Sequence, residues 1–143
     1  MFMFTLTISI LCLTAAIIQL VVLPLLSRWV MGDGPAAILW VLNRVFVGYV
    51  HHLKSEGNEV IPQELFPGKL IVVCKHQSPI DPLLVQSQCR FKIRWLMAQE
   101  YMKPSLGFIW KHGEIIPVSR DGSDASALRT ALRHLRDGGV IGI

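Results

Sequence analysis

The hydrophobic positions form a long uncharged opening segment, followed by short apolar runs that alternate with helical periods. Residues 1–27 contain no charged side chain, and the segment exceeds the ~20 apolar residues that a membrane-spanning helix needs. This pattern predicts an N-terminal membrane helix, which Gln19 and Pro24 also allow to bend and enter one leaflet only. A cleavable signal peptide is the alternative, but no positive residue precedes the run and no small-residue cleavage site follows it.

A second apolar stretch covers residues 36–49 and is interrupted by Asn43 and Arg44. Its middle is too polar for a comfortable membrane span. The stretch contains one tryptophan and one tyrosine, which are typical of membrane interfaces. We therefore predict an amphipathic helical segment within residues 28–55 that lies at the interface or packs on the anchor. An ordinary core helix is the alternative.

From residue 69 onward, short apolar runs alternate with amphipathic segments, which is typical of an α/β domain. Pro104 and Gly107 break the stretch 100–111 into short pieces. Pro117 indicates an edge strand or a bulge, because proline has no N–H for a sheet ladder. We expect a mixed sheet flanked by helices, with the membrane helix before it. The predicted strands are residues 70–74, 91–97, 114–119 and 140–143, and the predicted helices are residues 80–88 and 123–137.

The last predicted helix is strongly amphipathic. Ser123 or Asp124 can cap it, and Gly138 can end it. Its apolar positions recur at helical spacing and are expected to face the core, while its arginines form a solvated or headgroup-facing surface. The apolar strand that follows runs to residue 143, which we interpret as an incomplete domain. The apolar set is Ala125, Leu128, Leu132 and Leu135, and the basic set is Arg129, Arg133 and Arg136.

The charge distribution narrows the range of partners. All 14 Lys and Arg residues follow residue 27, and the net charge is +4. The positive-inside tendency then predicts that the remainder of the chain lies in the cytoplasm. A basic surface fits anionic headgroups or a phosphorylated substrate. Nucleic acid is a poor candidate, because no Lys/Arg run is interleaved with aromatic residues.

The three cysteines, Cys12, Cys74 and Cys89, form no C-x-x-C pair. An odd number in apolar or mixed surroundings predicts free thiols in a reducing compartment.

His76 and Asp81 stand where an apolar strand gives way to a helix, so a titratable base and a carboxylate are close in the chain. Ser78 as N-cap and Pro79 at the first helical position make this a plausible helix start. Asp81 then has two open roles. It can accept from the Ser78 amide as part of a capping box, or it can orient the His76 ring. No second ligand falls at metal spacing nearby, so no metal site is predicted.

Three motifs occur in order: Gly-x-Glu-x-x-Pro at residues 57–62, His-x4-Asp from His76 to Asp81, and a Gly, hydrophobic strand and Arg at residues 113–120. In this order they are fairly specific. Over residues 40–143 the chain resembles the glycerolipid acyltransferases typified by 1-acylglycerol-3-phosphate acyltransferase. The residue before the His, often Asn in that family, is Lys75 here. The family's third signature, Phe-Pro-Glu-Gly-Thr, would follow residues 140–143, and the sequence ends first. Residues 56–143 therefore correspond to the N-terminal part of an acyltransferase domain.

The resemblance implies acyl transfer from acyl-CoA or acyl carrier protein to the free hydroxyl of 1-acylglycerol 3-phosphate, giving phosphatidate in phospholipid biosynthesis. His76 would be the general base, and Asp81 would orient it. Arg120 would bind the acceptor's phosphate, with Gly113 and Lys75 also on the substrate side. Arg120 as a surface residue and Lys75 as a solvated strand-end residue are the alternatives. No cofactor beyond the acyl donor is expected.

Two other functions stay open at this point. One is a catalytically inactive, membrane-associated fragment, and the other is an acyltransferase that acts on another lysolipid. In both cases the expected partners include membrane lipids and exclude nucleic acid.

Overall fold

The computed structural model describes residues 2–75, 77–120 and 125–143, with the side chains of residues 2–4 left aside. His76 and the candidate capping residues Ser123 and Asp124 lie outside the described residues. The helices are α1 (Phe2–Ile17), α2 (Leu23–Ser27), α3 (Gly34–Val50), α4 (Asp81–Gln88), α5 (Gly107–His112) and α6 (Ala125–Arg136). The strands are β1 (Leu70–Val72), β2 (Arg94–Ala98), β3 (Ile116–Val118) and β4 (Val140–Gly142). A π-helical turn covers Ile18–Val22, and 3₁₀ turns cover Asn58–Val60, Gln99–Tyr101 and Pro104–Leu106.

The four described strands form one sheet in the order β1-β4-β2-β3. The α/β class is confirmed. A mixed sheet was expected, but all three pairings between described strands are parallel. Parallel pairing follows from the chain order, because a helix lies between each strand and the next along the sequence. Pro117 lies in β3, an outer strand paired only with β2 among the described strands, so the prediction of an edge position is confirmed.

The second strand begins later than its apolar pattern indicates. Phe91 and Ile93 are 1% exposed, as expected of a strand core, but the ladder starts only at Arg94. The Gln86 side chain provides the reason. Its amide nitrogen donates to the Phe91 carbonyl at 2.9 Å, and its amide oxygen accepts from the Ile93 N–H at 3.1 Å. This side chain takes the place of a neighbouring strand for residues 91–93.

The two faces of the sheet are covered by different helices. On one face Trp95 and Val140 pack with the segment that follows α4, and on the other Ile116 and Ile141 pack against α6. Helix α6 is rotated relative to its predicted orientation. Ala127 and Ala131 are its buried residues, and Leu135 is partly buried as expected. The other apolar positions, Ala125, Leu128 and Leu132, are exposed. Small alanine side chains allow the helix axis to approach the sheet closely, which favours this face.

The opening helices form one apolar segment. Thr5–Ser27 spans 23 residues with a mean hydropathy of 2.5, and none of its most apolar part is buried. It is therefore long and apolar enough to cross a membrane. The π-helical turn Ile18–Val22 lies directly before Pro24, whose ring cannot fit a regular α-helical turn. The predicted irregularity at Gln19 and Pro24 thus corresponds to a local widening of the helix.

Helix α3 connects this segment to the sheet domain. Asp33 caps it by accepting from the Ala36 N–H at 2.8 Å. The polar side chains within its apolar pattern bind carbonyls of α4. Asn43 donates to the Leu83 carbonyl at 2.8 Å, and Arg44 donates to the Ser87 carbonyl at 2.9 Å. The bond from Arg44 satisfies a carbonyl that the end of α4 would otherwise leave unpaired. The opposite side of α3 is apolar and exposed, through Leu42, Val45 and Tyr49.

Candidate functional site at the carboxyl edge of the sheet

The segments that carry the candidate chemistry all leave the sheet at one edge. Because the strands are parallel, their carboxyl ends meet there, which is where α/β proteins usually bind ligands. Strand β1 leads to Lys75 and the His-x4-Asp segment, and β2 leads to the turn Gln99–Tyr101. Strand β3 leads to Arg120, and β4 leads to Ile143.

Asp81 holds the loop between β1 and α4 in place. Its Oδ2 atom accepts from the Gln77 N–H at 2.7 Å and from the Ser78 N–H at 2.8 Å. The predicted bond to the Ser78 amide is therefore confirmed. The predicted helix start is displaced, because Ser78 to Asp81 closes a separate turn and α4 begins at Asp81. Since His76 lies outside the described residues, the orienting contact from Asp81 to His76 stays a prediction.

The pKa of Cys74 is affected by the charge of this loop. Burial and the nearby negative charge of Asp81 together raise the pKa of the Cys74 thiol. The Cys74 N–H donates to the Ile143 carbonyl at 3.2 Å, so β1 and β4 stay joined up to the candidate site. Lys75, the next residue, is exposed. The carboxylate of Asp81 therefore lies close to the carboxyl end of β1.

Arg120 follows β3, on the far side of the sheet from β1. Three strand spacings separate these outer strands, which is roughly 14 Å. The Arg120 Nη1 atom lies 2.8 Å from Glu100 Oε1, and its guanidinium carbon lies 5.5 Å from the centre of the Tyr101 ring. The structure thus brings Arg120 to the same edge as Asp81, with its side chain bound to the turn that follows β2.

Gly113 lies near the opposite edge of the sheet, where it caps the C-terminus of α5 ahead of β3. A β-carbon there would lie 2.9 Å from the Ile109 carbonyl oxygen, so a close backbone approach explains the glycine. Gly113 also lines an apolar cleft. Its predicted role on the substrate side stays a prediction.

The cleft lies between α3, α4, α5 and β2 and has a volume of about 100 Å³. It reaches Pro82 and Leu83, the residues directly after Asp81. Its lining includes Leu39, Trp40, Ile93 and Ile109. An apolar cleft beside a polar loop is the arrangement that an amphipathic ligand requires.

A network of charged side chains lies at the amino edge of the sheet, where its central residue, Lys92, also lines the apolar cleft. Lys92 binds the carboxylates of both Asp33 and Glu114, and Arg94 also binds Glu114. Burial alone would lower the pKa of Lys92, but its hydrogen bonds to the two carboxylates outweigh that effect and raise it. Burial would likewise raise the pKa of Glu114, but Lys92 and Arg94 lower it below its ordinary value. Glu114 has a φ of 51°, an uncommon conformation for a residue other than glycine.

Sequence reasoning missed the two residues that hold Arg120, because Glu100 and Tyr101 fall in a stretch whose pattern is broken by Pro104 and Gly107. The signal was available in the order of elements, since any residue directly after β2 must reach the carboxyl edge. The described residues contain no group of three or more His, Cys, Asp and Glu side chains that could hold a metal ion.

Among known proteins, a family model described as Acyltransferase matches residues 52–143, which is more than half of the chain and includes all the strands that the structure describes. Searches of curated proteins and of solved structures gave no significant match.

Proposed function

Because this chain belongs to the Acyltransferase family, its reaction is acyl transfer in lipid metabolism, and we propose that it acylates the free hydroxyl of 1-acylglycerol 3-phosphate to form phosphatidate. The acyl donor would be a thioester of CoA or of acyl carrier protein. The observation that carries the proposal is the position of the Asp81 carboxylate in the His-x4-Asp motif. The backbone amides of Gln77 and Ser78 both donate to this carboxylate and fix it in the loop.

The reaction needs a base, because an aliphatic hydroxyl is a poor nucleophile until its proton is removed. In this proposal neutral His76 accepts that proton, since imidazole has an ordinary pKa of ~6.5. The hydroxyl oxygen attacks the thioester carbonyl, and the thiol of the donor leaves with a proton. Asp81 would orient the ring and stabilise the imidazolium, as in a Ser-His-Asp triad whose hydroxyl comes from the substrate.

The amide bonds of Asp81 support this role. A carboxylate that must orient a histidine has to be held in one position itself. The Gln77 and Ser78 amides both bind a single oxygen, Oδ2. Held by these two amides, the same carboxylate would serve as the cap and as the orienting group for His76.

The acceptor's phosphate would bind Arg120, because a guanidinium matches phosphate oxygens in a bidentate manner. Arg120 and the His-x4-Asp loop share one edge of the sheet, with roughly 14 Å between their strands. A long arginine side chain and a glycerol phosphate together span much of that distance. The exposed Lys75 would add positive potential beside the proposed base, His76.

The membrane segment supports a lipid substrate. Thr5–Ser27 can cross a bilayer by its length and composition, and α3 presents an exposed apolar side that includes Val45 and Tyr49. We propose that both elements keep the domain at the membrane surface, where the lysolipid resides. All Lys and Arg residues follow the apolar segment, which favours a cytoplasmic domain.

The direct test is replacement of the proposed base. His76→Ala should lower acyl transfer to 1-acylglycerol 3-phosphate by about 10²- to 10⁴-fold, the usual contribution of a general base. The assay uses the purified chain in detergent with acyl-CoA and acyl carrier protein thioesters in separate reactions. His134→Ala is the matched control, because His134 lies on α6 beside Gly139 at the amino edge.

Membrane flotation should give the same result for both variants and the wild type. Undiminished turnover in His76→Ala would contradict the proposed mechanism. A panel of lysolipids that differ in headgroup then tests the acceptor, and equal turnover with a neutral headgroup would contradict a phosphate-binding site.

A further inference from the structure

Arg120 is bound by two neighbours from a single turn. Both Glu100 and Tyr101 belong to the turn Gln99–Tyr101 that follows β2. Glu100 supplies a carboxylate oxygen at 2.8 Å from Arg120 Nη1, and Tyr101 supplies an aromatic face at 5.5 Å from the guanidinium carbon. An acidic group and a π-face therefore orient the arginine at the carboxyl edge of the sheet.

The ion pair is accessible to solvent. The Arg120 side chain is 64% exposed and that of Glu100 is 49% exposed. Pairs in such surroundings contribute little to stability, because water and salt screen them. A phosphate can offer two oxygens to the same guanidinium and forms stronger, charge-assisted bonds. Breaking the bond between Glu100 and Arg120 so that a phosphate can bind Arg120 therefore requires little free energy.

We propose that Glu100 is a positioning residue whose carboxylate stands in for the acceptor's phosphate on Arg120 and gives way when that phosphate binds. This inference rests on the proposed function, in which Arg120 binds the phosphate. Before binding, Glu100 pairs with the guanidinium at the carboxyl edge of the sheet. During the exchange the Tyr101 ring retains it by a cation–π contact.

The exchange also affects the end of the reaction. Acceptor and product carry the same phosphate, so a site that bound it without competition would release the product slowly. Glu100 competes for Arg120 against both. Removing the charge of Glu100 should therefore tighten the binding of both phosphorylated species. The binding of an acceptor that has no phosphate should stay the same.

The test compares acyl-transfer kinetics of Glu100→Gln with the wild type. Glutamine keeps the size of the side chain and an oxygen for Arg120, but not the negative charge. The KM for 1-acylglycerol 3-phosphate and the inhibition constant of inorganic phosphate should both fall by about two- to fivefold, with kcat within about twofold of the wild type. The KM for a monoacylglycerol, if it is accepted, should stay the same.

Two further variants serve as controls. Glu64→Gln removes the same charge from an exposed position in the loop before β1, so it reports any effect of net charge alone. Glu100→Asp retains the charge and should keep both constants nearer to the wild-type values than Glu100→Gln does.

Arg120→Gln separates the two levels of the proposal. An unchanged KM for the phosphorylated acceptor in Arg120→Gln would overturn the phosphate-binding role and the Glu100 inference together. A raised KM in Arg120→Gln, combined with an unchanged or raised KM in Glu100→Gln, would overturn the Glu100 inference alone. Equal decreases in Glu100→Gln and Glu64→Gln would do the same, because they would show a general effect of charge.

Discussion

The two edges of the sheet carry charged residues of the same types in very different surroundings. At the amino edge the Lys92 and Arg94 side chains are only 18% and 25% exposed, and both share the carboxylate of Glu114. At the carboxyl edge Arg120 and Glu100 form a single pair, each about half exposed or more. The first arrangement is difficult to rearrange and suits a structural role. The second can exchange partners and suits ligand binding.

The difference lies in the elements that each edge joins. The amino-edge network links the N-cap of α3 to β2 and to the start of β3, through bonds from Lys92 to Asp33 and Glu114. It therefore attaches the N-terminal helices to the sheet. At the carboxyl edge the polar side chains stand on the segments that follow β1, β2 and β3, so a substrate can contact several segments together.

The largest expected difference between the edges comes from one substitution type at two positions. Asp81→Asn should lower kcat by about 10²- to 10⁴-fold, because an amide cannot stabilise the imidazolium. Its amide oxygen can still accept from the Gln77 and Ser78 N–H groups, so the melting temperature should change little. Asp33→Asn should instead lower the melting temperature and leave kcat nearly unchanged. Asparagine remains a good N-cap, but it carries no negative charge to pair with Lys92.

Acyl-transfer kinetics and thermal unfolding, measured on both variants in one detergent, check this prediction. A loss of activity in Asp33→Asn comparable to that in Asp81→Asn, at a temperature where both are folded, would remove the functional distinction between the edges.

The second prediction concerns the pH dependence of stability at the amino edge. The pKa of Glu114 in the folded chain is lowered from its ordinary value of 4.5 by Lys92 and Arg94, despite the opposing effect of burial. The ionised carboxylate therefore stabilises the fold above pH 4.5, and this contribution is lost as the pH falls through the folded pKa. Glu114→Gln should melt about 3 °C below the wild type at neutral pH, and the gap should narrow below pH 4.5.

Differential scanning calorimetry between pH 3 and pH 7 measures that gap. Glu64→Gln, whose side chain is exposed, should keep a constant and smaller gap. A Glu114→Gln gap that stays constant or widens in acid would contradict a stabilising ionised Glu114.

Much of the carboxyl edge could be predicted from local sequence. The patterns behind these predictions involve residues only a few positions apart. They predicted the α/β order, the bond from the Ser78 amide to Asp81 and the place of Pro117 in an outer strand. The amino-edge network could not be predicted in this way, because Lys92 lies 59 residues from Asp33 and 22 from Glu114. Such pairs are determined by tertiary packing, and the alternating pattern around Lys92 indicated only a strand.

Helix α6 shows a different limit. Its leucine spacing fits a helix equally well whichever side packs on the sheet, and the distance between helix and sheet decides the matter. Ala127 and Ala131 permit a close approach, so they are buried while Leu128 is 59% exposed. Periodicity thus predicted the element correctly but not its rotation.

The smallest expected effect tests the geometry of the carboxyl edge without any enzymatic assay. Burial and the charge of Asp81 raise the pKa of Cys74, so Asp81→Asn should shift the pH–rate profile for alkylation of Cys74 by iodoacetamide to lower pH. At pH 8 the rate should rise by roughly two- to threefold, because more of the thiol is ionised. Cys89, whose burial raises its pKa to about 11, serves as an internal control in the same mass-spectrometric measurement.

The shape of that profile distinguishes electrostatics from a loosened loop. If only the charge of Asp81 acts on Cys74, the midpoint moves and the plateau at high pH keeps its height. If the substitution instead opens the loop between β1 and α4, the plateau rises because the reagent reaches the sulfur more easily. An unmoved midpoint would mean that the Asp81 carboxylate does not act on the end of β1, and the proposed position of the catalytic carboxylate would then be wrong.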